Sequence, residues 1–126
     1  MITPLRPSRT AADTRIEVTT TADATVVCVH GEVDLSITDR LAAQLEIETD
    51  LRPRALLVDF DDVTFCSARG FATLLEACAH AHESGVPFAA VSAQRTVLRP
   101  FHQLSLGRVL HLLPTHEDAT RWLKEV

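Results

Sequence analysis

Three runs of apolar, largely β-branched residues, with helical patterns between them, set what this chain can fold into. Thr25 to His30 (TVVCVH) and Ala55 to Phe60 (ALLVDF) are apolar enough to suit strands covered on both faces, and Val86 to Val91 is a third such run. Ahead of them, Arg15 to Thr20 alternates, with Ile16 and Val18 on one face and Glu17 and Thr19 on the other, as a half-exposed strand does. Ala22 to Ala24 is a short turn. After Gly31, Ser36 is positioned to cap a helix, with Asp39 three residues on and a stripe of Ile37, Leu41, Ala42 and Leu45. Arg52, Pro53 and Arg54 break the pattern before the second run, and an acidic turn, Asp59 to Asp62, closes that run. From Arg69 to Glu83 the apolar positions Phe71, Leu74, Leu75 and Cys78 recur at helical spacing, with Gly85 and Pro87 as the stop. Ser92 can cap a short helix carrying Val97, Leu98 and Phe101, which Pro100 shortens or kinks. Val109 to Leu113 reads as a last strand. Thr115 with Asp118 opens a terminal helix whose Ala119, Trp122, Leu123 and Val126 face the core.

The expected architecture is therefore α/β: a mostly parallel five-stranded sheet with an antiparallel first strand and about four helices. In such sheets right-handed crossovers gather function beyond the carboxyl ends of the strands. Those ends lead into Gly31 to Ser36, Asp61 to Gly70 and Ser92 to Arg95.

A length of 126 residues fits one domain, and a composition 46% hydrophobic and 23% charged predicts a packed core. Residues 1–14, with Pro4, Pro7, Arg6 and Arg9, read as a flexible leader to a domain spanning 15–126. The net charge of -5, with eleven arginines and one lysine scattered along the chain, argues against a nucleic-acid partner. No apolar stretch approaches the roughly 18 residues that span a bilayer, so no membrane association and a cytoplasmic location are expected. Cys28, Cys66 and Cys78, odd in number and widely spaced, read as buried reduced thiols.

Two strand-to-helix loops carry the informative residues. The first is Gly31-Glu32-Val33-Asp34, running through Leu35 into the helix; the second is Val63-Thr64-Phe65-Cys66-Ser67-Ala68-Arg69-Gly70. Together they resemble the STAS domain of bacterial anti-sigma factor antagonists, over roughly residues 15 to 125. In that family the first loop reads G-E-(L/V)-D, which Gly31 to Asp34 match in full. The second reads F-x-D-S-(S/A)-G, its first serine being the one a partner kinase phosphorylates. Aligned on Phe65 and Gly70, Ser67 stands at the aspartate, Ala68 at the phosphoacceptor and Arg69 at the position after it.

The resemblance implies a single STAS-type domain that is not an enzyme. It also implies a partner, an anti-sigma factor with a histidine-kinase-like ATPase fold, whose capture frees a sigma factor for transcription. A phosphate brings roughly -1.5 to -2 charge and three acceptor oxygens, enough to disrupt an interface lacking a matching cation. Ala68 has no hydroxyl to carry one. Three readings follow: a constitutive binder, a phosphoacceptor moved to Ser67, or a scaffold or decoy component of a larger STAS signalling assembly. The first is favoured, because helix capping accounts for Ser67 without any functional role. The partner-binding residues are then Asp34, Ser36, Ser67, Ala68, Arg69 and Gly70. Asp34 contacts the partner or orders the first loop, Gly70 permits close approach, and Arg69 supplies specificity or remains an ordinary surface cation. A monomer or weak homodimer is expected.

Other signals are weaker. Cys78, His80 and His82 suggest metal, but positions two apart on a helix point to nearly opposite sides; only Cys78 and His82 share a face, and two ligands do not close a zinc site. Asp34, Asp59, Asp61 and Asp62 are similar to the acidic pocket of receiver domains, which also needs a lysine late in the sheet, whereas the only lysine is Lys124 in the terminal helix. Asp61 and Asp62 therefore read as a solvated turn. Cys66 or Ser67 as a nucleophile would need a base that no motif supplies. Neither cofactor nor metal is expected.

Overall fold

A computed structural model describes residues 14–93, Arg99 and residues 110–126. The elements run β1 (Arg15–Thr20), β2 (Thr25–Val33), α1 (Leu35–Asp50), β3 (Leu56–Cys66), α2 (Ala68–Glu83), β4 (Phe88–Val91), β5 (Leu112–Leu113) and α3 (His116–Glu125). The sheet has five strands in the order β1-β2-β3-β4-β5. β1 pairs antiparallel with β2, and every later pair is parallel. That is the α/β architecture expected from the alternation of strand and helix patterns. Three helices lie among the described residues. The helix expected after Ser92, with Val97, Leu98, Pro100 and Phe101, and the leader through Asp13 fall outside them.

The sheet is covered on both faces, as its apolar strands require. On one side Val27 and Val29 of β2 and Leu56, Val58 and Phe60 of β3 pack with Ile37, Leu41 and Leu45 of α1 and Leu74 of α2. On the other, Leu57, Ala89 and Val91 pack against Ala119 and Trp122 of α3. Alternating residues of a strand thus enter two separate clusters, the pattern that a strand buried on both faces must have. The buried stripe of α1 differs from expectation at one point: Ala42 is exposed, while Thr38, Glu48 and Thr49 are buried. The Thr49 hydroxyl donates to the Leu45 carbonyl at 2.7 Å, which satisfies it inside the core.

Besides the end of β2, which runs on through Gly31 to Val33 instead of stopping at His30, four boundaries move. The cap of α1 is Asp34 and not Ser36: its carboxylate accepts from the Ser36 N–H at 2.9 Å. A charge-assisted bond to an orphan helix N–H outcompetes a hydroxyl two residues later, and it starts the helix earlier. β4 begins at Phe88, and β5 is confined to Leu112–Leu113. The fourth change matters most. Asp59 to Asp62 is not a turn, because β3 continues through it to Cys66.

That continuation contains two one-residue insertions. Cys28 faces Asp59 and His30 faces Asp62, so β3 spends three residues where β2 spends two; the same happens between Gly31 opposite Val63 and Glu32 opposite Phe65. Each bulge inverts which face the following residues meet. Val63 is consequently buried although Phe60 is too, and after the second bulge Cys66 packs against the core while Phe65 is left 50% exposed. Gly31, in β2 at this irregularity, has φ 99°, a conformation that a side chain would strain.

Candidate functional site

The carboxyl ends of β2 and β3 deliver two helix starts to one edge. At the end of β2, Asp34 leaves the strand in extended conformation, and its carboxylate accepts from both the Ser36 N–H and, at 2.5 Å, the Ser36 hydroxyl. The Ser36 hydroxyl, followed by its N–H, holds the Asp34 carboxyl below its ordinary value. At the end of β3, Ser67 caps α2, its hydroxyl oxygen accepting from the Gly70 N–H at 3.1 Å, as its sequence position suggested. The two starts are joined directly: the Ser67 N–H donates to the Val33 carbonyl at 2.9 Å.

Gly70 lets α2 begin close against the ends of β2 and β3. It is buried, and a Cβ there would lie 2.7 Å from Cys66 Sγ and 2.8 Å from Val33 Cγ1. Its expected close approach is thus internal, between α2 and the two strand ends. Around this joint Asp34 and Ser67 are half-buried, and Ser36, Ala68 and Arg69 are exposed. All six residues singled out from sequence therefore meet at one edge. Arg69 makes no side-chain hydrogen bond or ion pair among the described residues.

Two large apolar side chains are exposed at this edge: Phe65, within the segment the motif singles out, and Leu35, which the sequence does not mark. Leu35 is 70% exposed at the start of α1, and Phe65 stands next to the last residue of β3. Alternation from Val63 predicts an inward Phe65; only the second bulge turns it out, and a bulge leaves no signature in the residues Val63-Thr64-Phe65. Large exposed apolar groups beside a polar rim are what a protein interface presents.

Burial pushes the Cys66 thiol up to about 12, leaving almost no thiolate at neutral pH to attack a substrate. The Ser67 hydroxyl is engaged at the helix start, and no histidine contacts it among the described residues. Away from the edge, His80 pairs with Asp50 at 2.8 Å while Cys78 and His82 line a groove with Trp122 and His111, so the helix does send them to different sides. No group of three or more His, Cys, Asp or Glu is arranged to hold a metal ion among the described residues. No helix among them is long and apolar enough to cross a membrane.

Comparison with known proteins agrees with this geometry. A family model described as the STAS domain matches residues 15–119. A search of curated proteins finds no match. Among solved structures, an anti-sigma factor antagonist from Mycobacterium paratuberculosis is 25% identical with a TM-score of 0.77, over 88% of this chain and 94% of that one. The unphosphorylated anti-sigma factor antagonist SpoIIAA is 16% identical with a TM-score of 0.74, over 89% and 98%. A sulfate transporter family protein from Wolinella succinogenes shares the fold at 14% identity with a TM-score of 0.72, over 84% and 88%.

Proposed function

The chain belongs to the STAS domain family, its residues 15–119 matching the family model, and on that premise we propose that it works as an anti-sigma factor antagonist. In this reading it binds an anti-sigma factor with a histidine-kinase-like ATPase fold, in the cytoplasm, and thereby controls sigma-factor-dependent transcription. It acts as a monomer or weak homodimer, and by contact without catalysis. The observation that carries the proposal is the bond from Ser67 N–H to the Val33 carbonyl, which fixes two helix starts into one surface.

Each residue then has a role. Asp34 and Ser36 order the first loop and offer it to the partner. Ser67 and Gly70 hold the second loop against the first, and Ala68 and Arg69 form the exposed contact. Leu35 and Phe65 supply apolar area beside them. With Ala68 at the position where the family carries its phosphoacceptor, the protein binds constitutively. Ser67 is the one hydroxyl in the segment Phe65 to Gly70, and it is the site at which a retained switch would have to appear.

Arg69 provides the test. Reversing its charge with Arg69→Glu should weaken the complex about tenfold or more in a calorimetric titration against the anti-sigma partner, the scale of one lost charge-assisted contact. Unchanged affinity would remove Arg69 from the interface.

A further inference from the structure

On the α3 face of the sheet, at the first bulge of β3, lies a cluster that docking leaves unused. His116, the first residue of α3, has Nε2 at 2.7 Å from Asp59 Oδ2 and Nδ1 at 3.9 Å from Asp61 Oδ2. Asp59 is held in turn: its Oδ2 faces the Cys28 thiol at 3.7 Å, and its Oδ1 accepts from the Asp61 N–H at 2.9 Å. Asp61 also accepts from the Ala93 N–H at 3.1 Å, beyond the end of β4. Alongside, His30 of β2 bridges Asp62 of β3 at 2.8 Å and Glu17 of β1 at 2.9 Å. The acidic run that reads as a solvated turn in sequence is thus a joint on which β1, β2, β3 and α3 converge.

The ring at the head of α3 is in an unusual position. A cation in the first turn opposes the helix dipole, so His116 gains nothing from its own helix except through Glu117 and Asp118, which share that turn. What favours its charge comes from the sheet. A neutral imidazole has a single N–H and no charge; the doubly protonated ring donates to Asp59 and places its second N–H at ion-pair distance from Asp61. We propose that His116 is a proton-operated latch: protonated, it clamps the first turn of α3 to Asp59 and Asp61 of β3, and deprotonated, it releases that turn.

The charged groups around it agree. From β3, Asp59, Asp61 and Asp62 all favour the cation; from β2, the Cys28 thiol, pushed up to about 11 chiefly by burial, stays neutral; His30 is occupied by Asp62 and Glu17. The bond to Asp59 raises the His116 pKa above 6.5, with burial opposing it. A raised folded-state pKa fixes the sign. The contribution is full below the unfolded value and is lost as pH rises through the folded one. The latch is therefore closed on the acid side and opens toward alkaline pH.

The test needs no partner, so it is independent of the proposed function. Amide hydrogen exchange of residues 116–120, corrected for intrinsic rates, is followed across the titration of the His116 ring, which NMR reads on the same sample. Protection of the first turn of α3 should fall about threefold to fivefold in step with that titration, a size suited to a half-exposed ion pair, while α1 and α2 stay unchanged. In His116→Gln, a conservative change at an exposed side chain, the step should vanish; in His116→Lys protection should persist through the range. A flat profile in the wild type, or a step that survives in His116→Gln, would overturn the latch.

Discussion

Ala68 and Gly70, two residues apart, do opposite things for the second loop. Ala68 is exposed and presents only a methyl group, whereas Gly70 is buried and lets α2 start close against Val33 and Cys66. A Gly70→Ala substitution must displace both Val33 and Cys66, and overpacking of that kind costs about 1 to 3 kcal/mol. Alanine regains at most about 1 kcal/mol of helix propensity, and less so near a helix start. We expect a net loss of about 1 to 2 kcal/mol in urea unfolding, and no loss would mean that the strand ends yield freely. Asp34 gives a prediction of the other kind. Its carboxyl is lowered by the Ser36 hydroxyl and N–H, so it contributes stability above pH 3.8 that is lost as pH falls through its folded value. Asparagine caps about as well as aspartate. Asp34→Asn should therefore keep stability near neutrality and flatten the acid limb of a stability-against-pH curve.

Among the elements, β3 does most to make the site. Its first half obeys simple alternation, and Phe60 is 1% exposed in the core, so Phe60→Ala should cost about 3 to 5 kcal/mol. Phe65, only five residues on, should tolerate alanine with a loss below about 1 kcal/mol, since half of its surface is already in water. Comparable losses at the two positions, measured by chemical denaturation, would contradict the bulged register. The same strand marks the limit of what the residues reveal. β1, the long helix α2 with its Ser67 cap, and the Thr115 cap of α3 could all be read directly, because propensity, pattern and capping agree there. The two segments could be picked out by their motifs, but Gly31 to Val33 and Val63 to Cys66 extend β2 and β3 where the sequence suggested loops. The bulges could not, since an inserted residue changes pairing without changing composition. Asp59, Asp61 and Asp62 accordingly looked like a turn, and the joint they form with His116 and His30 stayed hidden. The cap of α1 is ambiguous in sequence for a smaller reason: Asp34 and Ser36 are both good caps, and only the end of β2 at Val33 decides between them.

Across the whole molecule, two apolar clusters on opposite faces of one sheet leave the ends of β2 and β3 as a shared rim. α1 and α2 start at that rim, where Leu35 and Phe65 are exposed. A rigid sheet thus holds a short polar and apolar edge in fixed geometry, which suits recognition of one partner surface with little reorganisation. In the proposed reading this edge binds through Ala68 and Arg69, and Ser67, the one hydroxyl between Phe65 and Gly70, is engaged in capping α2. The most direct measurement combines the two. The chain is titrated into the kinase-like anti-sigma factors of its own cell with Mg-ATP present, affinity is read for the wild type and Arg69→Glu, and the recovered chain is mapped for phosphate by mass spectrometry. The account predicts a stable wild-type complex, a loss of about tenfold or more on charge reversal, and an unmodified segment from Phe65 to Gly70. Phosphate on Ser67, or equal affinity for the two proteins, would contradict it.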